Sequence, residues 1–295
     1  MSAENLVTRA DLAETVHEST HEGGGDRGPG HVTEDGRKIG GVVMEMKNIT
    51  LRFGGVTAIK DISFDIREGE IRAIIGPNGA GKSSMLNVIS GFYVPQEGEV
   101  WFRGAKRPPM KPYQVARQGI ARTFQNIALF RGMTVLDNIK LGGHTRLSAN
   151  VWQALAYFGP ARREELAFRA EIEERVIDFL EIDHIRKAPI TALPYGLQKR
   201  VELGRALAMQ PKVLMLDEPV AGMNREETAD MARFILDVQE EFGTTILLVE
   251  HDMGLVMDIC AHIVVLNFGQ QIAAGTPTEV ARDDEVIEAY LGAAA

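Results

Sequence analysis

The sequence contains one cysteine, Cys260, among its 295 residues. A single cysteine cannot form an intrachain disulfide, which favours a reducing compartment, and its apolar neighbours predict a small buried core residue. The chain also has no run of about 18 apolar residues that could cross a bilayer. Its start carries acids and lacks the apolar centre of a secretory signal. We therefore expect a cytosolic protein unless a partner attaches it to a membrane.

The sequence also has fewer basic than acidic residues. The 32 Lys and Arg residues are outnumbered by 41 Asp and Glu residues, which gives a net charge of −9 at pH 7. Proteins that bind nucleic acids present a basic surface to the phosphate backbone. This charge balance therefore predicts no nucleic-acid partner.

The N-terminal segment differs from the rest of the chain. Residues 1–41 are rich in glycine and charge and contain few large apolar side chains. Such a segment cannot bury enough surface to offset the entropy of ordering it, so we expect a disordered tail. Its histidines, His17, His21 and His31, lack the close spacing of a metal site, which favours a solvated tail.

Residues 42–290 predict one folded domain of the α/β class, followed by a flexible C-terminus at 291–295. The segment VVMEMKNITLRF predicts an antiparallel β subdomain, whereas EIRAIIG, KVLMLDEP, TTILLVEHD, HIVVLNFG and QQIAAG predict the strands of a core sheet. A helix over Arg225–Phe242 separates two of these strands. This βαβ order is typical of a parallel sheet.

A helical segment interrupts the strands. After Gly119 the pattern turns helical, and Ile172, Val176, Phe179 and Leu180 fall on one face of a helix with charges opposite. We therefore expect a helical subdomain at about residues 120–205, inserted into the core.

A glycine-rich loop joins the strand EIRAIIG to a helix that Gly91 ends. The loop sequence GPNGAGKS fits the pattern G-x-x-x-x-G-K-[ST], in which glycines let backbone N–H groups close around a phosphate. The helix start directs its positive end at the same anion. Lys82 supplies a charge for the β- and γ-phosphates, and the Ser83 hydroxyl is placed to bind Mg²⁺. The candidate nucleotide-binding residues are Gly76, Pro77, Asn78, Gly79, Ala80, Gly81, Lys82, Ser83 and Ser84.

Two carboxylates end a later strand, in the segment VLMLDEP. Ligands of α/β folds bind at the carboxyl ends of the strands. We therefore expect Asp217 to hold Mg²⁺ through its water shell and Glu218 to act as general base for the attacking water. The alternative is a pair that only caps the strand end, but the phosphate loop in the same chain favours the catalytic interpretation.

Two further polar residues are candidates for the same reaction. His251 follows a buried strand that we expect beside the strand of the phosphate loop, where it would bond a γ-phosphate oxygen. The alternative is a histidine of the packing or the surface. Gln125, in RTFQNIALF, opens the helical segment and would reach Mg²⁺ and the water. Spacing alone supports this role for Gln125.

The order of these motifs resembles the ATP-binding-cassette (ABC) ATPases over about residues 43–290. The matching segments are GPNGAGKSS, TFQN, LPYGLQKRVELGRAL, VLMLDEP, AGMN and VEHD. The resemblance implies a P-loop NTPase core, ATP and Mg²⁺ as cofactors, and a head-to-tail dimer in which each ATP lies between one P-loop and the partner's signature loop. The residues of the signature loop would be Leu193, Pro194, Tyr195, Gly196, Leu197 and Gln198.

The signature loop departs from the LSGGQ sequence usual in this superfamily. Pro194 occupies the position of the serine whose hydroxyl caps the partner's γ-phosphate, and proline has neither a hydroxyl nor an N–H. A helix predicted over residues 198–208 would still direct its N-terminus at phosphate. The site made by this loop is therefore expected to be the weaker one. The D-loop has Asn224 where Asp is common.

Within the superfamily, the chain resembles the ATP-binding subunits of branched-chain amino-acid importers. The features are Phe53-Gly54-Gly55 with Ala58, the segment RTFQNIALFRGMTVLDNI, Tyr195, AGMN and IAAGTPTEV. This resemblance implies branched-chain amino acids or related small amides as cargo and a different cassette as partner. It also implies two integral-membrane permeases, an indirect substrate-binding protein, and a place at the cytoplasmic face of the inner membrane.

Four apolar positions carry two interpretations each. Phe53 resembles the aromatic residue that stacks on adenine, with Ala58 beside it, but a core phenylalanine has the same pattern. Phe130, Met133 and Val135 lie where family members contact the permease, and they fit the core of the helical subdomain equally well.

Two other functional classes remain open. A soluble ABC ATPase of translation or DNA repair usually has two cassettes, a long coiled-coil insertion or basic extensions, and this chain has none of these patterns. A nucleotide-binding module without hydrolysis is disfavoured by Lys82, Asp217, Glu218 and His251, although Pro194 leaves room for partial loss of activity.

Overall fold

The computed structural model describes residues 31–32, 38–146 and 160–292. Its strands are β1 (His31–Val32), β2 (Lys38–Ile39), β3 (Val42–Phe53), β4 (Val56–Arg67), β5 (Ile71–Ile75), β6 (Glu97–Phe102), β7 (Ala105–Arg107), β8 (Ile120–Arg122), β9 (Val213–Asp217), β10 (Thr245–Val249), β11 (His262–Asn267) and β12 (Gln270–Gly275). Its α-helices are α1 (Lys82–Ile89), α2 (Pro112–Arg117), α3 (Val135–Gly142), α4 (Pro160–Ile172), α5 (Tyr195–Leu207), α6 (Arg225–Phe242), α7 (Met253–Ile259), α8 (Pro277–Val280) and α9 (Asp284–Gly292).

The central sheet has the strand order β12-β11-β5-β10-β9-β8. β10 runs parallel to both β5 and β9, and only β12 pairs antiparallel. Every residue of β5, β9 and β10 is buried, as expected for largely apolar strands that are covered on both faces. The predicted α/β class with a parallel core is confirmed, and the carboxyl ends of these three strands share one edge.

A second, antiparallel sheet has the order β4-β3-β6-β7, which confirms the predicted β subdomain. Helix α1 lies between the two sheets. Its Met85 and Leu86 share a core cluster with Ile49 and Ile59 of the antiparallel sheet and with Leu247 of the central sheet. This packing fixes the helix that follows the glycine-rich loop from both sides.

The helical segment begins later than predicted. Ile120–Arg122 forms β8, which pairs parallel with β9 and is the edge strand of the central sheet. A strand of three residues is too short to show alternation, so the sequence pattern did not reveal it. The first helix of this segment starts at Val135, and α5 ends at Leu207.

The predicted apolar face packs against the core, although the helical turns end at Ile177, before Phe179 and Leu180. Ile172, Val176 and Leu180 are buried, and Phe179 is partly buried against the same core. The backbone from Glu173 to Ile177 is a π-helix, whose wider turn inserts an extra residue and brings Ile177 into the core as well.

The folded domain begins before the expected boundary at residue 42. β1 and β2 form an antiparallel pair, and Ile39 is buried. The backbones of Gly40 and Gly41 exchange hydrogen bonds with Glu68, which joins this segment to the end of β4. His17 and His21 lie outside the described residues, as does the side chain of His31.

The C-terminal helix packs against the core. Helix α9 extends to Gly292 and buries Val286, while residues 293–295 lie outside the described part. Cys260 is buried in the main core, as predicted. No helix in the described ranges has both the length and the apolar character to traverse a bilayer.

Candidate functional site

The glycine-rich loop connects β5 to α1 through positions that only glycine fits. Gly76 has a φ of 146°, and a Cβ there would lie 2.0 Å from the carbonyl oxygen of Leu266. Gly81 has a φ of 103°, and its Cβ would lie 2.8 Å from the carbonyl oxygen of Ala58. No side chain caps the start of α1. The first amides of the helix therefore remain available for an anion.

This loop forms one wall of a cavity of about 500 Å³. Several residues that the sequence predicted line it together, namely Ala58, Asn78, Gly79, Ala80, Gly81, Lys82, Ser83, Ser84, Gln125 and Glu218. The sequence did not single out Val56, Thr57, Phe268 and Gly269, which complete the wall. The positive φ of Phe268 and Gly269 marks the turn between β11 and β12, and the letters FG between two strands were the available signal.

Lys82 lies at the bottom of the cavity and is buried. Its Nζ donates to the carbonyl oxygens of Gly76 at 2.6 Å and Pro77 at 3.1 Å. Burial lowers the pKa of Lys82, while the carboxylates of Glu218 and Asp217 oppose this shift. The acids at the end of β9 therefore lie close enough to the loop lysine to favour its charged form.

Glu218 and Gln125 meet at the opposite wall. The Nε2 of Gln125 donates to Oε2 of Glu218 at 2.9 Å. Glu218 has a φ of 47°, a left-handed conformation that costs about 1–2 kcal/mol for a residue with a Cβ. Its N–H donates to the carbonyl oxygen of Val249 at the end of β10. This backbone places the carboxylate over the cavity, although Asp217 precedes it in a straight strand.

Asp217 is held behind the cavity wall. It is buried, and its Oδ2 accepts a hydrogen bond of 2.9 Å from Arg122 at the end of β8. The same guanidinium donates to Asn87 and Ser90 of the α1 segment. Asp217 is not among the residues that line the cavity. The sequence did not indicate a role for Arg122, because the strand that places it beside Asp217, β8, was not predicted.

His251 follows β10, which lies beside β5 as predicted. Its side chain is 60% exposed, and its Nδ1 lies 3.6 Å from Oε2 of Glu250. Glu250 is fully buried and accepts hydrogen bonds from the backbone N–H groups of Val220, His251 and Asp252. His251 does not line the cavity in this structure, so its role at the γ-phosphate stays a prediction.

The signature loop is shorter than predicted because α5 begins at Tyr195 rather than at residue 198. Pro194 is the N-cap and provides no side-chain hydrogen bond, while Leu193 is buried and its carbonyl accepts from Nε2 of Gln198. Leu197 packs against the main core. Gly196 is buried, and a Cβ there would lie 2.3 Å from Oε1 of Glu227.

Asn224 of the D-loop caps α6. Its side chain accepts from the N–H groups of Glu226 at 2.9 Å and Glu227 at 3.0 Å, and Glu227 bonds back to the Asn224 N–H. Because Glu227 also faces Gly196, the start of α6 and the start of α5 are in contact.

The apolar candidate residues differ in how exposed their side chains are. Phe53 is 45% exposed and lies edge-on to Tyr93, with ring centroids 4.9 Å apart, so it is not a core residue. Phe130 and Met133 are also exposed, whereas Val135 is fully buried. Val135 is therefore core and is unavailable to a permease, because α3 turns its first residue inward.

A P-loop between a parallel strand and a helix, with a glutamate and a glutamine facing it, defines a nucleotide-binding cassette. The family model for "ABC transporter" matches residues 59–221, more than half of the chain, and the chain belongs to this family. A second model, "Branched-chain amino acid ATP-binding cassette transporter", matches residues 270–295.

Relatives and solved structures agree with this assignment. The high-affinity branched-chain amino acid transport ATP-binding proteins BraF of Pseudomonas aeruginosa and LivG of Salmonella typhimurium are 37% and 39% identical to the chain. Each match covers 85% of this chain and 98% of the relative. A solved ATP-binding cassette of an ABC transporter, in its ADP conformation, has a TM-score of 0.74 and 32% identity and covers 85% of this chain and 99% of its own.

Proposed function

We propose that this chain is the ATP-binding and ATP-hydrolysing subunit of an ABC importer for branched-chain amino acids or related small amides. The main observation in support is that the P-loop, with Lys82 and Ser83, lines the same cavity as Gln125 and Glu218. The names of BraF and LivG and the second family model support the cargo class. Because the relatives named above carry transport names, the importer is favoured over a soluble ATPase of translation or DNA repair.

The cavity fits a nucleoside triphosphate. The P-loop glycines admit close approach of the phosphates, the uncapped amides of α1 face them, and Lys82 supplies positive charge. Thr57 and Ala58 line the far side, and we assign them to the ribose end. The exposed ring of Phe53 lies a few residues before them in the β3–β4 hairpin and would stack on the base.

The residues present also fit Mg²⁺, which prefers oxygen ligands and retains water. Ser83 and Gln125 line the cavity and would hold the ion directly. Asp217, which is bonded to Arg122, would hold it through bound water. When bound, Mg²⁺ neutralises charge that develops on the transferring phosphate. Among the described residues, no group of three or more His, Cys, Asp or Glu forms a metal site by itself.

Glu218 then performs the proton transfer. Its carboxylate faces the cavity and accepts a hydrogen bond from Gln125, so a water bound beside this pair would be oriented toward the γ-phosphate and would lose its proton to Glu218. Lys82 stabilises the phosphate charge from the other side. His251 is exposed next to the end of β10, and we assign it to a γ-phosphate oxygen after a rotation of its side chain.

The second half of the site would come from a partner cassette. A dimeric cassette bound to ADP and Pi is 25% identical to this chain, with a TM-score of 0.66, and covers 79% of this chain and 98% of its own. In this chain the start of α5 has no side-chain cap, and we assign its first amides to the partner's nucleotide. Pro194 cannot add a hydroxyl, and we assign the weaker of the two sites to this loop. A different chain as partner is our preferred arrangement.

Membrane partners would dock beside Gln125. Phe130 and Met133 are exposed apolar residues between Gln125 and α3, and they form the contact that we assign to a permease. The complete importer would have two permeases, receive cargo from a substrate-binding protein, and hold this subunit at the cytoplasmic face of the inner membrane.

The Glu218→Gln variant tests this proposal. Because the amide cannot accept the proton, we expect turnover of ATP to fall by about 100-fold or more while ATP binding is retained. ATP should then accumulate in a closed dimer, visible by size-exclusion chromatography with ATP. The control is Glu240→Gln, an exposed position near the end of α6. Hydrolysis by Glu218→Gln at the rate of the control would remove Glu218 from the reaction.

A further inference from the structure

Lys199 is a buried lysine on α5 that faces the back of the catalytic pair. Its side chain is 2% exposed, although it lies within the polar run QKR. Its Nζ lies 3.1 Å from the carbonyl oxygen of Gln125 and 3.3 Å from that of Glu218. An ammonium group has three N–H donors and no acceptor, so both contacts are hydrogen bonds that Lys199 donates.

The two carbonyls belong to the residues whose side chains bond to each other in the cavity. Gln125 donates to Glu218 at 2.9 Å on the cavity side, while Lys199 bonds to the backbones of both from behind. One cation therefore fixes the main chain of each member of the pair. A shift of α5 would displace Gln125 and Glu218 together.

Glu218 needs such support because its backbone is strained. A φ of 47° is disfavoured for a residue with a Cβ and persists where neighbouring groups hold it. The Glu218 N–H is held by Val249, and its carbonyl accepts from Lys199 and, at 3.3 Å, from the N–H of Ala221. Lys199 provides the one charge-assisted bond among these, and such bonds are stronger than neutral ones.

The burial of Lys199 is costly, which argues for a role other than packing. Burial lowers the pKa of Lys199, and the carboxylate of Glu202, 4.0 Å away on the next turn of α5, opposes the shift. A buried ion pair gives little net stability compared with apolar residues of the same size. The neighbouring positions Val201 and Leu203 show that this helix packs well with apolar side chains.

We propose that Lys199 is a positioning residue for ATP hydrolysis. It holds the backbones of Gln125 and Glu218 at a fixed distance from each other and links their position to α5, the helix that begins at the signature loop. The inference rests on the proposed role of Glu218 as general base. Lys199 does not line the cavity, so its contribution is to the rate of the chemical step and not to the binding of ATP.

Steady-state kinetics and nucleotide binding on the full chain test the proposal. Lys199→Met keeps the apolar stem and removes the donors; we expect kcat to fall about tenfold or more, with the Kd for ATP changed by less than about threefold. Lys199→Arg, which keeps a cation with several donors, should recover part of kcat. The matched control is Arg200→Met, the adjacent position on α5, whose guanidinium pairs with Asp230 and lies over Phe234. We expect its kcat to stay within about twofold of wild type, since it touches neither carbonyl.

Hydrogen exchange gives a readout that does not need turnover. The amide of Glu218 should exchange faster by about tenfold in Lys199→Met and at the wild-type rate in Arg200→Met. If Lys199→Met does not fold, Lys199→Gln, whose donor nitrogen is one bond nearer the main chain and uncharged, should show the same loss of kcat. Equal kcat and equal exchange in a folded Lys199 variant and wild type would overturn the proposal. Faster exchange at Glu218, combined with full activity of Glu218→Gln, would instead reject the role of Glu218 and leave the Lys199 contact intact.

Discussion

The two loops that precede α1 and α5 are built differently. Both helices start without a side-chain cap, whereas α6 and α7 are capped by Asn224 and Asp252. The P-loop is fixed by backbone, since a Cβ on Gly81 would meet the carbonyl of Ala58. The signature loop is fixed by a side chain, since a Cβ on Gly196 would meet the carboxylate of Glu227. Backbone cannot move aside without disturbing a strand, whereas a carboxylate can change rotamer. We therefore expect the P-loop to tolerate substitution of its glycine less well than the signature loop does.

The largest expected effect lies at the P-loop. Lys82→Ala removes the buried cation at the bottom of the cavity, and we expect ATP affinity to fall by about 100-fold or more because the phosphates lose a charge-assisted partner. Isothermal titration calorimetry with ATP measures this loss. Lys187→Ala, an exposed lysine on the signature side, is the control and should bind ATP as wild type does. Comparable losses in the two variants would contradict the contrast between the regions.

A pair of glycine variants tests the contrast directly. Gly81→Ala combines a positive φ with a backbone clash, so we expect it to cost about 2 kcal/mol or more of unfolding free energy and to weaken ATP binding. Gly196→Ala displaces the carboxylate of Glu227, and with it the bond to the Asn224 N–H, but gains about 1 kcal/mol of helix propensity, so its net cost should be under about 1 kcal/mol. Urea denaturation of both variants gives the two values. A larger cost for Gly196→Ala would reverse our ranking.

The smallest effects concern the caps. Asn224→Ala removes two hydrogen bonds at the start of α6 and should lower stability by about 1 kcal/mol, or lower the melting temperature by about 2–4 °C. Pro194→Ser adds an acceptor at the uncapped start of α5 and should raise stability by about 0.5–1 kcal/mol. Calorimetry on the two variants would show opposite shifts. Stabilisation by Asn224→Ala would mean that this cap does not serve the helix.

Local patterns predicted the parts of the site that follow one another along the chain. The four residues of β9 before Asp217 form a continuous apolar run, and β5 before the P-loop is apolar except for Arg72; both patterns mark buried strands. The spacing of the glycines and Lys82 then fixes the loop between strand and helix. The positions of these elements at one sheet edge follow from parallel topology, which the βαβ order predicts.

Features that depend on distant contacts were not predictable from the sequence. Lys199 looks like a solvent-exposed helix residue, and only the packing of α5 behind Gln125 shows that it is buried. The start of α5 was placed too late because Gly196 weakens the helical pattern, although its contact with Glu227 requires a small residue there. Val135 was equally compatible with surface and core until α3 fixed its direction.

Arg122 connects three elements of the fold. Its guanidinium already compensates the buried charge of Asp217 and ties it to α1. The ion pair spares Asp217 the cost of an unpaired charge in the interior. One side chain thus ties β8, β9 and α1 together behind the cavity wall, so Arg122 serves the fold as well as the site.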